Sequence, residues 1–259
     1  MTIASLLDPV TGKPGPARLS EAQDWMQGRT LYGGASALVA YTMAVRAFDG
    51  LPPLRAAQIG FVAPIQEEIE LTAEIIRQGR NVTQVRSEIH SGGRVALTGF
   101  WLFGTQRDAN AKREAGRPDD WPGAAVDNPR AMEGQGPSFI QNNFEIRFGQ
   151  SKNKDHGATI RRWARLTEDH GLDTVSQLVL MGDVMPPGAM RIMQRMGPIS
   201  SINWSFNVLE PEADLGDGWV LAENASQHAD AGYSSERLRM WDNAGQRMLD
   251  GLQCVAVFG

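Results

Sequence analysis

The segment from Gly34 to Phe48 is apolar on nearly every side, and it constrains the fold more than any other feature. Only Ser36, Thr42 and Arg46 in it are polar, and its alanine, leucine and methionine content favours a helix. A helix without a polar face has to be buried on most sides. The sequence therefore predicts a central helix that other elements surround.

The chain that follows this helix alternates between apolar and polar residues, which is typical of half-buried strands. Over residues 68–75 the odd positions are isoleucine, leucine or alanine, and the even positions are glutamate or threonine. Turn residues separate further predicted strands at 81–90 and 94–103, and a strand at 55–62 precedes them. The first half of the chain is thus predicted to be one buried helix and an antiparallel meander.

Residues 107–135 lose this pattern and are rich in charge, proline and glycine, which indicates a linker. Behind them the order of elements repeats. Strands are predicted at 139–148 and 157–166, followed by a helix that Asp173 caps and that runs to Met185. The strands predicted after this helix are Ile199–Leu209, Trp219–Gln227, Tyr233–Trp241 and Arg247–Phe258.

The two halves also align with each other in sequence. An offset of about 152 residues places Gly93 on Gly245 and brings the neighbouring glycines and leucines into register. We therefore predict two copies of one unit, at residues 1–106 and 136–259, with the linker 107–135 between them.

Composition excludes several classes of function. The net charge of −5 leaves no basic field to gather the phosphates of a nucleic acid. Cys254 is the only cysteine and the four histidines are scattered, so we expect neither a disulfide framework nor a metal site. No signal-peptide pattern and no apolar run of membrane-spanning length are present, which predicts a cytoplasmic protein without a membrane partner.

A buried helix followed by a long antiparallel meander is typical of the hotdog architecture, in which a sheet wraps one helix. Two copies predict an α+β double hotdog. The chain resembles the acyl-CoA thioesterase II-like (TesB-like) family over residues 20–106 and 136–259. The motifs that carry the resemblance are Leu31-Tyr32-Gly33-Gly34, Arg77-Gln78-Gly79-Arg80, Ser91-Gly92-Gly93-Arg94, Asp183-Val184-Met185-Pro186-Pro187, Trp241-Asp242-Asn243-Ala244-Gly245 and Gly251-Leu252-Gln253.

The resemblance implies that the chain hydrolyses an acyl-CoA, or a related thioester, to the free acid and CoA without a cofactor. Hotdog units generally pair sheet edge to sheet edge, so the two halves are expected to pair within the chain. A homodimer is a further possibility for the assembly.

Gln253 lies in a predicted strand whose other residues are almost all apolar. A buried amide costs on the order of 1–3 kcal/mol unless it is hydrogen-bonded, so Gln253 requires a partner. The resemblance assigns this position to a catalytic glutamine that helps to hold the attacking water. A structural amide that bonds a neighbouring strand or a water molecule is the alternative.

The resemblance also places Asn203 where the family carries a catalytic aspartate, and Ser226 within one residue of the family's hydroxyl position. Asparagine can orient water but cannot take its proton as a general base. This difference leaves a non-catalytic acyl-CoA or acyl-chain binding protein as the alternative function. Hydration of an enoyl thioester is a further alternative, although the chain shows no converging aspartate and histidine.

Gly33, Gly34 and Asp183 are the predicted substrate-binding residues. Glycines let a ligand approach the unpaired N–H groups of a helix start, which the resemblance implies would polarise the thioester carbonyl. Asp183 falls inside the apolar segment 178–185, where a buried carboxylate would have a raised pKa and could act as a general base. A carboxylate that points to solvent or caps a turn is the alternative.

Overall fold

The computed structural model describes residues 2–258 except 21, 132, 133, 135, 152–154 and 169, so part of the predicted linker lies outside the described residues. In the first half the elements are α1 (Ile3–Leu7), β1 (Gly15–Arg18), β2 (Met26–Gln27), β3 (Thr30–Leu31), α2 (Gly33–Ala47), β4 (Leu54–Phe61), β5 (Glu68–Gln78), β6 (Val82–Ser91) and β7 (Arg94–Gly104). In the second half they are α3 (Ser138–Asn143), β8 (Phe144–Phe148), β9 (Thr159–Leu166), α4 (Thr174–Met181), β10 (Ile199–Val208), β11 (Val220–Asp230), β12 (Tyr233–Asp242) and β13 (Arg247–Val257).

Eleven of these strands form one antiparallel sheet in the order β1-β5-β6-β7-β4-β10-β13-β12-β11-β9-β8. The two halves meet where β4 pairs with β10, from Gly60 opposite Asn203 to Ala56 opposite Asn207. The strand order on one side of this junction mirrors the order on the other. The two units therefore pair sheet edge to sheet edge within one chain, which confirms the predicted α+β double hotdog.

Helix α2 runs through the interior of the first unit, as its apolar sequence predicts. Residues 34–44 are all buried, and β5, β6 and β7 pack against the helix. Strand β6 shows the alternation expected of a strand with one face on the core, since nearly every second residue is buried. The helix and the meander thus form as the two periodicities require.

The prediction of a strand over residues 139–148 is wrong in its first part, because Ser138–Asn143 forms α3. Pro137 precedes this helix in an extended conformation. The side chain of Asn143 then satisfies its last turn by donating to the carbonyl of Phe139 (3.0 Å), and it also donates to the carbonyl of Asp24 (2.8 Å). The local bond to Phe139 and the tertiary bond to Asp24 stabilise a helix where the composition of the segment favours a strand.

Helix α4 is shorter than predicted and ends at Met181 instead of Met185. Asp173 caps its start as predicted, by accepting the N–H of Ser176 (2.7 Å). At its end Gly182 lies so close to the ring of Trp204 that any Cβ there would collide with it. The chain turns at this contact, which leaves the following carboxylate outside the helix.

The predicted linker packs against the outer face of the second unit. Its Trp121 and Ala125 join a buried cluster on that face, which also contains Trp163, Trp219, Leu221 and Trp241. The indole of Trp241 donates to the carbonyl of Gly116 (3.3 Å). The described residues around Trp121 and Ala125 therefore cover part of this face, and the domain boundaries at residues 106 and 136 stay a prediction.

Replacing Gly34 with alanine should lower the free energy of unfolding by about 1–3 kcal/mol, because a methyl group would push α2 away from α4. A Cβ at Gly34 would collide with the carbonyl oxygen of Leu180. At an exposed helix position the same change would stabilise by about 1 kcal/mol. Denaturant unfolding measures the difference, and Gly116→Ala, where nothing lies within 4 Å, is the control. A Gly34→Ala protein as stable as the wild type would contradict the expected collision.

Candidate active site

Gln253 lies on the inner face of β13 and is only 4% exposed. In register it stands opposite Trp204 of β10 and Glu236 of β12. Its amide nitrogen donates to Oδ1 of Asp183 (3.0 Å) and to Oγ of Ser201 (2.6 Å). The buried amide that the sequence singles out thus has two side-chain partners, and one of them is a carboxylate.

Asp183 stands in the turn beyond α4 and faces this amide. The hydroxyl of Ser201 donates to the same Oδ1 (3.2 Å), so both bonds end on one oxygen of the carboxylate. The other oxygen faces Gly33, where any Cβ would collide with it. Protein surrounds the carboxylate, while the residue as a whole is only partly buried.

The electrostatics of Asp183 follow from these contacts. Burial raises its pKa to about 6, while the hydrogen bonds from Gln253 and Ser201 act in the opposite direction because they stabilise the ionised form. A carboxylate with this pKa is ionised at pH 7 and is also basic enough to take a proton from water.

Tyr32 fixes the start of α2 against the end of α4. Its phenol donates to the carbonyl oxygen of Leu180 (2.6 Å), and its ring stacks on Phe139 with the centroids 4.1 Å apart. Burial, and then the negative charge of Asp183, raise the pKa of Tyr32 well above its ordinary value. The phenol therefore stays protonated and keeps donating this bond.

The start of α2 presents backbone N–H groups beside Asp183. The first N–H that bonds within the helix belongs to Ser36, which donates to the carbonyl of Tyr32 (2.9 Å). The N–H groups of Gly33 and Gly34 precede it and are not needed by the helix. A helix start favours an anion or a developing oxyanion. Gly34 is buried against the carbonyl of Leu180, whereas Gly33 is partly exposed and faces Asp183.

Ser201 reaches the site because β10 contains a bulge. Ser201 pairs with Val255 and Asn203 pairs with Cys254, so Ile202 between them has no partner of its own. The extra residue changes the side-chain alternation at this point of the strand. As a result Ser201 points to the inner face.

Because of this bulge, the alternation of the sequence does not predict that Ser201 belongs to the site. Strict alternation backwards from the buried Trp204 places residues 202 and 200 on the inner face and turns 201 outward. Neither the hydroxyl nor its neighbours carry a signal that reveals a bulge. Only the structure shows that Ser201 and Gln253 share a face.

The structure does not bring Asn203 to Gln253. Asn203 is exposed, and its side-chain oxygen accepts the N–H of Cys254 (3.0 Å). Cys254 follows Gln253 in the strand and faces the other way, so the sheet itself separates Asn203 from the inner cluster. The carboxylate that accompanies Gln253 is Asp183.

Ser226 belongs to a second polar cluster on the inner face. Its hydroxyl bonds that of Ser234 (2.7 Å), and Ser234 in turn donates to Glu236 (2.5 Å). Glu236 stands opposite Gln253 across the β12–β13 pair. Ser226 is therefore separated from Gln253 by Glu236, which pairs with both residues in the sheet. Its hydroxyl bonds Ser234 instead of Asp183.

The cluster of Asp183, Ser201 and Gln253 contains a carboxylate that can act as a base and two hydrogen-bonding groups. The N–H groups at the start of α2 lie beside it. Such a set can orient a water molecule, take its proton and stabilise negative charge on a carbonyl oxygen. Among the described residues, no group of three or more His, Cys, Asp or Glu side chains is arranged to hold a metal ion. In the same part of the chain no helix combines the length and apolarity of a membrane span.

Comparison with protein families gives matches over both halves of the chain. The acyl-CoA thioesterase N-terminal domain matches residues 21–104, and the acyl-CoA thioesterase C-terminal domain matches residues 113–257. A comparison with curated protein sequences finds no significant match.

Solved structures resemble the chain along nearly its whole length. A conserved hot dog fold protein of unknown function from Alicyclobacillus acidocaldarius has a TM-score of 0.82 at 20% identity, covering 96% of this chain and 97% of its own. The tesB protein of Mycobacterium avium subs paratuberculosis has a TM-score of 0.75 at 13% identity and covers 100% of both chains. An acyl-CoA thioesterase II from Mycobacterium marinum has a TM-score of 0.71 at 17% identity, covering 99% of this chain and 98% of its own. At these identities the likeness shows the fold.

The pKa of Asp183 predicts how stability depends on pH. Its value of about 6 in the folded state exceeds the ordinary 3.8, so folding favours the protonated form and stability is lost as the pH rises through about 6. Asp183→Asn removes this loss. The free energy of unfolding of the variant minus that of the wild type should therefore be about 2–3 kcal/mol larger at pH 8 than at pH 4.

Denaturant unfolding of both proteins at the two pH values measures this gain. Other titrating groups contribute equally to the two proteins and cancel in the difference, provided that they do not interact with Asp183. A difference that is the same at both pH values would show that Asp183 titrates normally.

Proposed function

We propose that this chain, which belongs to the acyl-CoA thioesterase family, hydrolyses an acyl-CoA thioester to the free acid and CoA by direct attack of water. The observation that carries the proposal is the carboxylate of Asp183, held by Gln253 and Ser201 at the start of a helix. Family membership supports the substrate class, and this geometry supports a base-assisted hydrolysis. The alternative of a non-catalytic binding protein depends on the lack of an aspartate at the site, and Asp183 supplies one.

The substrate would lie between the start of α2 and the inner face of the second-half sheet. Its carbonyl oxygen would accept the free N–H groups of Gly33 and Gly34, which draw electron density from the carbonyl carbon. The inner face beside the cluster is apolar, but Trp204 and Phe206 on β10 are already covered by protein. An acyl chain on this face would therefore require the packing against the sheet to open.

The chemistry needs no covalent enzyme intermediate. Asp183 takes one proton from the water molecule that Gln253 and Ser201 orient, and the water oxygen bonds to the carbonyl carbon. The tetrahedral intermediate carries its negative charge at the helix start. It collapses by breaking the carbon–sulfur bond, and the departing sulfur takes the proton that Asp183 holds. Acid and CoA are thereby released and the carboxylate is regenerated.

The site does not favour hydration of an enoyl thioester. That reaction uses a converging aspartate and histidine as acid and base, whereas the partners of Asp183 are an amide and a hydroxyl. The possible homodimer stays a prediction, which the mass of the protein in solution tests.

Release of free thiol from acyl-CoAs of increasing chain length tests the proposal. Asp183→Asn should lower kcat/KM by about 10²–10⁴-fold because the general base is lost. Gln253→Ala should cost about 10²–10³-fold because a positioned donor is lost. Asn203→Ala is the control, because Asn203 pairs with the neighbour of Gln253 but faces the other side of the sheet. It should retain wild-type activity, which would assign the catalytic carboxylate to Asp183 and exclude a role for Asn203. Acyl-CoA binding without thiol release in the wild type would overturn hydrolysis and favour a binding protein.

The pH profile tests the role of Asp183 separately. Because the carboxylate must be ionised to accept a proton, kcat/KM should fall as the pH drops through about 6. In Ser201→Ala, a hydrogen bond that lowers the pKa of Asp183 is lost, so the midpoint should move to higher pH. An acid limb that stays in place in Ser201→Ala would exclude Asp183 as the group that titrates.

A further inference from the structure

Two buried polar side chains outside the Asp183–Ser201–Gln253 cluster hold the turn that follows Asp183. We propose that Glu236 and Asn224 are positioning residues, which fix this turn and thereby the direction of the Asp183 carboxylate. The inference rests on the proposed function, because the reaction that it concerns is thioester hydrolysis.

Glu236 is 0% exposed and its carboxylate accepts three hydrogen bonds. Oε2 accepts the N–H of Gly188 (2.8 Å), and Oε1 accepts the N–H of Ala189 (3.2 Å) and the hydroxyl of Ser234 (2.5 Å). Gly188 and Ala189 begin the 3₁₀ helix Gly188–Arg191, whose first N–H groups need partners from outside it. Only an acceptor with two free oxygens satisfies all three donors, whereas a glutamine amide would turn its NH₂ group toward one of them.

Asn224 holds the earlier part of the same turn. It is 3% exposed on β11, and its amide nitrogen donates to the carbonyls of Met185 (3.0 Å) and Pro186 (3.2 Å). Pro186 and Pro187 have no N–H groups with which to anchor the segment. The side chain of Asn224 therefore supplies hydrogen bonds that the backbone of the turn cannot make within itself.

Gly188 shows how closely the turn lies on the sheet. A Cβ at this position would collide with the carbonyl oxygen of Ala158 and would lie 2.7 Å from the backbone nitrogen of Ser226. That nitrogen already donates to the carbonyl of Ala158 (2.9 Å). The turn is thus pressed against β11 and the residue before β9, which leaves no room for a side chain at Gly188.

These contacts matter because Asp183 lies between two fixed points. Helix α4 ends at Met181, and the bonds from Asn224 begin at Met185, so residues 182–184 are the whole connection. Glu236 also stands directly opposite Gln253 in the sheet. A displaced turn would move the carboxylate relative to this amide, and an error of about 1 Å in such a geometry can cost 10²-fold in rate.

Glu236→Gln tests the proposal, with Glu223→Gln as the matched control. Glu223 of β11 is equally buried, at 1% exposure, but it lies on the outer face of the sheet, where it forms ion pairs with Arg161 and Arg239. Glu236→Gln should lower kcat for acyl-CoA hydrolysis by about tenfold or more with little change in KM. Glu223→Gln should lower stability and keep kcat.

A ¹³C NMR titration of the Asp183 carboxyl group supplies a readout that does not depend on activity. When the turn loosens, the carboxylate gains solvent, so its midpoint should fall below the wild-type value in Glu236→Gln and stay unchanged in Glu223→Gln. If the wild type releases no thiol, the proposed function fails, and this titration still decides the positioning.

Asn224→Ala provides a second route if Glu236→Gln does not fold, and it should give the same loss of kcat and the same shift of the midpoint. A folded Glu236→Gln protein with wild-type kcat and an unchanged Asp183 titration would overturn the proposal. Failure of both variants to fold would also overturn it, because the two residues would then have a purely structural role.

Discussion

The site depends on the close crossing of α2 and α4. The bond from the phenol of Tyr32 to the carbonyl of Leu180 and the missing side chain of Gly34 bring the two helices into contact. Because α2 is apolar on nearly every side, its start is the part of the helix that can offer backbone N–H groups to a ligand. The crossing directs this start at Asp183, and without the contact neither the N–H groups of the helix start nor the carboxylate of Asp183 would lie near the amide of Gln253.

The two units have divided their roles, although they repeat one design. The repeat offset of about 152 residues places Trp101 in the first unit at the position of Gln253 in the second. Trp101 is 0% exposed, donates to the hydroxyl of Ser87 (2.8 Å) and packs beside Tyr41. The same position of the sheet therefore holds an aromatic ring in one unit and a side-chain amide in the other. The first unit contributes the long helix and its start, and the second contributes the carboxylate, the hydroxyl and the amide.

The periodicities of the sequence predict the fold well, because a fully apolar helix and long alternating strands leave few ways to bury their surfaces. The same patterns identify Gln253, since a lone amide in an apolar strand needs a partner. They fail where tertiary contacts override local preference. The end of α4 is set by the ring of Trp204, so Asp183 was recognisable as a buried carboxylate but not as a residue beyond the helix. Ser201 depends on a bulge, and a bulge reverses the face of each residue beyond it without leaving a mark in the alternation.

The environment of Asp183 balances two opposed demands on a general base. Burial makes the carboxylate a better proton acceptor by raising its pKa, but the same effect reduces the ionised fraction that can accept a proton. The bonds from Gln253 and Ser201 stabilise the ionised form, and the resulting pKa of about 6 keeps the group both ionised and basic at neutral pH. Because those two bonds also fix the side chains that would orient the water, in the proposed reaction one set of contacts would both tune the base and place the nucleophile. The three residues come from three separate segments, which the packing of the helix crossing against the sheet brings together.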